Sequence, residues 1–234
     1  MLEKITTEKS MKKTDLETIE KGGIHYLVQE GRRVRYMPWI GDLFARLYDP
    51  IMSRKVFPEK FKADIQRHFA ILKSVLEAVR NQQILEIAAG SGSAVNFLDS
   101  SNDYTGLDIS VRLLKAARVK FLQAGFQECR LYNAAAEELP FEDESFDACL
   151  CILSLNFFSS VSKVFSEAAR VLRPGGFILI AVPIPERIDP EVRIRGSLLT
   201  EKQIAELGRT HRFGYERIDA ENGSLLYCRL VREE

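Results

Sequence analysis

Apolar positions recur along this chain with two different periods, and the changes of period mark its elements. Gly22 to Met37 alternates, with Ile24, Tyr26 and Val28, then Val34 and Tyr36, around a turn-like Glu30-Gly31-Arg32. That pattern predicts a small hairpin. Pro38 to Ser53 carries Trp39, Ile40, Leu43, Phe44, Leu47, Ile51 and Met52 at helical spacing, broken at Pro50. Phe61, Ile65, Phe69, Leu72, Leu76 and Val79 then share one stripe, which predicts a helix opened by Pro58 at its first turn. Residues 1–21, before all of this, are heavily charged without a firm period and read as a frayed arm or marginal helix.

From residue 83 short apolar runs alternate with helical stripes. Ile84 to Ile87 is a strand, followed by Ala88-Ala89-Gly90-Ser91-Gly92 and a short helix to about Asp99. Tyr104 to Leu107 is a second strand, ending at Asp108. Ser110 caps a helix with Leu113, Leu114, Ala117, Phe121 and Ala124 on one face, stopped by Gly125. Cys129–Tyr132, Phe146–Leu153 and Phe177–Val182 are further strands, with a helix through Val164, Phe165, Ala168 and Leu172 before the last. Strands alternating with helices imply a parallel sheet with right-handed crossovers. The last third differs. Thr200 and Gln203 spell a capping box. Tyr215–Ala220 and Ser224–Val231 flank Glu221-Asn222-Gly223, which predicts an antiparallel hairpin.

Composition narrows the class. Lys+Arg and Asp+Glu are both 33, so the net charge is zero and the basic excess of a dedicated nucleic-acid binder is missing. Hydrophobic residues are 46% and charged residues 28%, as in an ordinary globular protein. The longest apolar stretch, Phe177 to Ile184, falls well short of the roughly 20 residues a transmembrane helix needs. The early lysines 4, 9, 12 and 13 have no apolar core behind them, so no secretory leader is expected. Cys129, Cys149, Cys151 and Cys228 form no CxxC and read as reduced thiols of a cytoplasmic protein. His25, His68 and His211 are far apart, read as structural or exposed, and suggest no metal site.

The candidate chemistry lies between Ile84 and Ser93. A strand feeding a turn of small residues brings backbone N–H groups to a ligand without side-chain obstruction. Asp108, 22 residues beyond Glu86, ends the second strand, where a carboxylate can accept two hydrogen bonds from a ribose diol. The G-x-G-x-x-G dinucleotide fingerprint is broken in either register, by Val95 or by Ala88 and Ser93. S-adenosylmethionine has no phosphate and carries an ammonium, and small residues after an acid suit that pattern better.

The chain from about Phe44 to Leu230 resembles the class I S-adenosylmethionine-dependent methyltransferases, in the group called methyltransferase type 11. Ile84-Leu-Glu-Ile-Ala-Ala-Gly-Ser-Gly-Ser looks like the first motif, with Ala88 where glycine is commoner. Tyr104-Thr-Gly-Leu-Asp-Ile-Ser resembles the second, Ala136 to Asp147 the stretch before the fourth strand, and Glu167 to Phe177 the E-x-x-R-V-L-K-P-G-G segment. The resemblance implies a Rossmann-like, doubly wound, mostly parallel seven-stranded sheet with a terminal antiparallel hairpin. It divides the chain into residues 1–57, an arm, hairpin and helical lid, and residues 58–234, the cofactor-binding domain. It implies S-adenosylmethionine as cofactor, held by Glu86, Ala88, Gly90 and Gly92, by Asp108 and Ile109 at ribose and adenine, by Ala136 and Glu137, and by Cys151 and Ile152 toward the end of the fourth strand. An aspartate usually precedes the Ala-Glu pair. Here that position is Ala135, so Glu137 or a backbone carbonyl would take the adenine amino group.

Leu47-Tyr48-Asp49 resembles the tyrosine-aspartate pair of quinone and phospholipid-headgroup methyltransferases, which implies that Tyr48 closes over the cofactor's methionine end. Asn156 and Phe157 are expected at the acceptor, with no histidine pair beside them. Arg112, Lys115, Arg118 and Lys120 lie opposite an apolar stripe and read as a solvated face. The expected activity is in-line methyl transfer to a small-molecule or lipid-like acceptor, relying on positioning, with no catalytic base identified. A nicotinamide-dependent oxidoreductase and an inactive cofactor-binding relative are the alternatives. The acceptor and the oligomeric state are not encoded legibly.

Overall fold

The computed structural model describes residues 17–37 and 47–234. Most of the charged arm, and the helical spacing of Trp39, Ile40, Leu43 and Phe44, lie outside them. One sheet organises the described chain. Its strands are β1 (Glu17–Glu20), β2 (His25–Gln29), β3 (Arg32–Arg33), β4 (Gln83–Ile87), β5 (Asp103–Asp108), β6 (Cys129–Asn133), β7 (Phe146–Ile152), β8 (Leu172–Pro183), β9 (Phe213–Arg217) and β10 (Leu225–Arg232). Their order is β1-β2-β6-β5-β4-β7-β8-β10-β9, with β3 paired to β2. The seven strands from β6 to β9 form the expected sheet. Pairing is parallel from β6 to β8, and β10 runs antiparallel between β8 and β9.

The N-terminal hairpin departs from its expected place in a lid. It extends the sheet, because β2 pairs in parallel with β6 through His25↔Tyr132 and Tyr26↔Asn133. The His25 ring stacks on Tyr132 at 4.7 Å, and the Arg33 guanidinium lies 3.6 Å over the Tyr26 ring. Strand addition satisfies the backbone groups that an open β6 edge would leave to solvent.

The central strands are apolar on both faces because helices cover both. Leu85, Ile87, Cys149 and Cys151 point into one core, which includes Phe165 of α4 (Val161–Val171) and Ile204 of α5 (Glu201–Thr210). Ile84, Ala148 and Leu150 point into the other, with Leu72 of α2 (Ile65–Val75) and Leu114, Ala117 and Phe121 of α3 (Val111–Gln123). Ser110 and Ser160 cap α3 and α4, and the Thr200–Gln203 capping box opens α5.

Pro58 does not open a helix. It lies inside a π-helix, Met52–Phe61, that continues α1 (Tyr48–Ile51) and ends at Lys62 with a left-handed φ of 51°. A ring without an N–H breaks the normal i→i−4 ladder, and wider turns accommodate that loss. The expected 57/58 boundary therefore falls within one helix. α2 begins later, capped by Asp64, whose Oδ1 accepts from Arg67 N at 2.6 Å. The Asn222-Gly223 turn docks on the same junction. Gly223 has φ +60°, and a Cβ there would sit 2.2 Å from the Phe61 carbonyl oxygen. Ser224 N donates to that oxygen at 2.8 Å.

Candidate active site

At the carboxyl ends of β4 and β5 the chain folds a turn around one carboxylate. Ala88, Gly90 and Gly92 all take positive φ, 57°, 54° and 78°. Gly90 N donates to Asp108 Oδ2 at 2.9 Å, and Ser110 N donates to Asp108 Oδ1 at 2.7 Å. Asn133 Nδ2 holds the Asp108 carbonyl from β6 at 3.0 Å. Asp108 thus joins the turn to the start of α3 and still borders open space. The two glycines differ in role. A Cβ on Gly90 would meet nothing closer than 4.0 Å, whereas one on Gly92 would lie 2.8 Å from Ala117. Gly90 keeps the cavity wall low, and Gly92 lets the turn pack on α3.

Two cavities meet at this turn, sharing Tyr48, Ala88, Gly90, Ile152 and Leu153. The smaller, about 410 Å³, is walled by Asp108, Ile109, Ala136, Glu137 and Phe157. The larger, about 710 Å³, runs under α1 and the π-helix past Met52, Phe57, Phe69 and His68, with Glu86 in its wall.

The electrostatics centre on Glu86. Its carboxyl is fully buried and accepts a short hydrogen bond from the Tyr104 hydroxyl. Burial pushes its pKa up to about 8, against the lowering effect of that hydrogen bond and with Asp108 adding to the rise. A carboxyl so placed favours ionisation only when a cation arrives. Tyr48 lies near Asp108, Asp49 and Glu86. Burial first, then those carboxylates, push its phenol up to about 12, so it stays a hydrogen-bond donor. A ligand with a ribose diol at Asp108, an ammonium at Glu86 and an apolar body over Gly90 fits this arrangement, as S-adenosylmethionine would.

The structure redistributes several expected residues. Tyr48, Glu86, Ala88 and Gly90 border the larger cavity, and Asp108, Ile109, Ala136, Glu137 and Ile152 the smaller. Glu137 Oε1 already accepts from Ser159 N and Oγ at 2.9 and 2.8 Å. Gly92 and Cys151 border neither; the Cys151 thiol is buried, 3.4 Å from Ser154 Oγ. Asn156 also borders neither. Its Nδ2 donates to the Arg195 carbonyl at 2.6 Å, and its backbone carbonyl accepts from Ser197 N, so it ties down the loop after β8. Phe157, half exposed, lies on the smaller cavity with Ile109, away from the space under α1.

Two contributors, Lys120 and His68, escaped the sequence pattern, and Ser91 of the predicted turn joins them. Lys120 leaves the solvated face of α3 to reach the larger cavity, pairing with Asp49 at 2.6 Å and meeting Ser91 Oγ at 3.3 Å. Ser91 Oγ donates to Asp49 at 2.6 Å. His68, on the buried stripe of α2, reaches the cavity from the opposite side. The Tyr48-Asp49 pair and the turn holding Ser91 were the sequence signals for this group.

Comparison with known proteins adds a family. Residues 85–180 match the family described as "Methyltransferase domain". The phthiotriol/phenolphthiotriol dimycocerosates methyltransferase 1 of Mycobacterium ulcerans is 32% identical over 131 residues, 54% of this chain and 47% of that protein. The fatty-acid O-methyltransferase of Mycolicibacterium smegmatis is 32% identical over 116 residues, 48% of this chain and 41% of that one. The chain thus spans about half the length of the curated relatives it matches. The crystal structure of the Bacillus subtilis YcgJ protein superimposes with a TM-score of 0.61 at 18% identity, covering 71% of this chain and 100% of that chain, which is a likeness of fold. Among the described residues no helix is long and apolar enough to cross a membrane.

Proposed function

We infer that this chain, whose residues 85–180 belong to the methyltransferase-domain family, uses S-adenosylmethionine to methylate an apolar small-molecule or lipid-like acceptor. The observation that carries the reading is the bipartite cavity meeting at Ala88 and Gly90, with Asp108 on one side and Glu86 and the space under α1 on the other. When bound, the cofactor supplies an electrophilic methyl group on a sulfonium. Asp108 would accept from the ribose hydroxyls, and Ile109 and Phe157 would border the adenine. Glu86 would face the ammonium, and Tyr48 would close over the junction of the two cavities. Met52, Phe57 and Phe69 supply an apolar wall that excludes water around the acceptor. The names of the relatives, which act on phthiotriols and fatty acids, support an acceptor of that kind.

A nicotinamide reading fits less well. A pyrophosphate is bound by the N-terminus of a regular helix, and the turn here leads only into a four-residue 3-10 helix, Ser93–Asn96. Calorimetric titration with S-adenosylhomocysteine and with NADH is the test. Micromolar binding of the first and none of the second is expected, and the reverse would overturn the reading. Formation of S-adenosylhomocysteine against a panel of apolar acceptors then separates an active enzyme from an inactive relative.

A further inference from the structure

His68 is one of three histidines and belongs to none of the motifs, yet it is buried beside the larger cavity. Its surroundings fix its hydrogens. Asp64 N donates to Asn222 Oδ1 at 2.8 Å, and Asn222 Nδ2 donates to the Asp64 carbonyl at 2.9 Å, so the orientation of the Asn222 amide is set by backbone. The second hydrogen of that NH2 group points to Tyr227 Oη, 3.1 Å away. Tyr227 therefore accepts from Asn222, and its own hydrogen is left for His68 Nδ1, 2.9 Å away. The reverse tautomer would leave the buried Tyr227 hydroxyl hydrogen without an acceptor. The network assigns the imidazole as neutral, with Nδ1 bare and Nε2 carrying the proton.

Phe57 meets the ring edge-on at a centroid distance of 5.2 Å, and Phe69 lies 5.7 Å away. Among the described residues Nε2 has no hydrogen-bond partner. His68 is almost fully buried, and it forms part of the wall of the larger cavity. Burial also pushes the His68 pKa down to about 4, which keeps it neutral across the physiological range.

We propose that His68 is the acceptor-contacting donor of this site: its Nε2–H hydrogen-bonds an oxygen of an otherwise apolar acceptor and holds it in the cavity under α1. The proposal rests on the methyltransferase reading above and narrows it. A fixed neutral donor in an apolar wall selects acceptors with a hydroxyl, enol or carboxylate oxygen over hydrocarbons of the same shape, because a buried N–H left unpaired is costly. It also favours the ionised form of that oxygen without itself removing the proton, which leaves to water. The relay Asp64–Asn222–Tyr227 sets the direction of donation from the far end of the terminal hairpin.

The test uses the full chain loaded with S-adenosylhomocysteine, with 1-naphthol and naphthalene as probes. Nitrogen-15 imidazole spectra at neutral pH should show His68 as the single Nε2–H tautomer, assigned by its loss in His68→Phe. Adding 1-naphthol should shift the Nε2 resonance, and adding naphthalene should not. Wild type should prefer 1-naphthol by about tenfold, the scale of one hydrogen bond. His68→Phe, which keeps the volume, should lose that preference, and His68→Gln should restore part of it. Tyr227→Phe should mix the tautomers. An Nδ1–H or charged ring in wild type, equal affinity for the two probes, or no shift of Nε2 with 1-naphthol would each overturn the proposal, and the wild-type spectra decide even if a variant fails to fold. Failure of wild type to bind S-adenosylhomocysteine would instead sink the methyltransferase reading.

Discussion

Lys120 Nζ lies 2.6 Å from Asp49 Oδ2, an ion pair that ties the last turn of α3 to the first turn of α1 across the rim of the larger cavity. Ser91 of the turn after β4 completes the contact by donating to the other Asp49 oxygen at 2.6 Å. Three chain segments far apart in sequence thus close one edge of the site. Both charged groups are partly exposed, so the pair itself contributes little to stability, roughly 0.2–1 kcal/mol. Its effect should be kinetic.

Lys120→Ala should therefore leave the chemical-denaturation midpoint nearly unchanged. Hydrogen exchange in residues 48–61 should speed up, and S-adenosylhomocysteine should dissociate several-fold faster, more so at low salt where the intact pair is least screened. Unchanged exchange in that segment would show that packing of Phe57 and Phe61 alone holds it.

Asp108 braces the turn, and the proposed reading gives it the ribose as well. Its two oxygens already receive Gly90 N and Ser110 N. Hydrogen bonds to a charged acceptor contribute about 1.5–3 kcal/mol each. Asp108→Ala should lower unfolding free energy by roughly 3–6 kcal/mol and abolish measurable cofactor binding. Asp108→Asn, which can keep one acceptor, should bind S-adenosylhomocysteine more weakly than wild type but lose less stability. Equal calorimetric affinity for wild type and Asp108→Ala would remove Asp108 from the site.

Ala88 carries a side chain at φ 57°, a conformation that costs a non-glycine residue about 1–2 kcal/mol. Ala88→Gly should relieve that strain against a smaller entropy loss and raise stability by about 1 kcal/mol in urea unfolding. A destabilised variant would mean that the Ala88 methyl makes packing contacts worth more than the strain.

How much of this was legible follows from which forces act locally. The strand–turn–strand frame of Ile84 to Asp108 was readable, because both faces of β4 and β5 are buried and the turn must take positive φ. The terminal hairpin was readable from Asn222-Gly223. The N-terminal hairpin was readable as a hairpin, but its docking on β6 was not, since its alternation is silent about which edge it meets. Pro58 suggested a helix start where Asp64 supplies one. Asn156 looked free for a ligand, while its amide serves the backbone of Arg195. Lys120 and His68 were hidden for opposite reasons. A long lysine on a polar face can fold back to a partner from another segment, and a histidine inside an apolar stripe looks like core until its neighbours are known.

Glu86 makes the site's pH behaviour predictable in sign. Its folded pKa, about 8, lies above its value in the unfolded chain, with burial as the main cause. The folded ligand-free protein therefore holds a proton that the unfolded chain gives up. Its contribution to stability is full below the ordinary carboxylate range and is lost as pH rises toward 8. His68 acts at a different window. Its folded pKa, about 4, lies below its ordinary value, so its contribution is lost as pH falls from about 6.5 to 4. Glu86→Gln should flatten the decline between pH 5 and 8 and leave the acid-side loss in place. In the proposed reading, cofactor binding should reverse the Glu86 effect. An ammonium beside the carboxyl stabilises its ionised form, so binding S-adenosylhomocysteine at pH 7 should release about one proton per site. Calorimetry in two buffers of different ionisation enthalpy reads that proton directly. The Glu86→Gln variant should bind without releasing it and with at least tenfold lower affinity. Buffer-independent binding by wild type would show that Glu86 stays protonated beside Tyr104, and that the ammonium is held by another group.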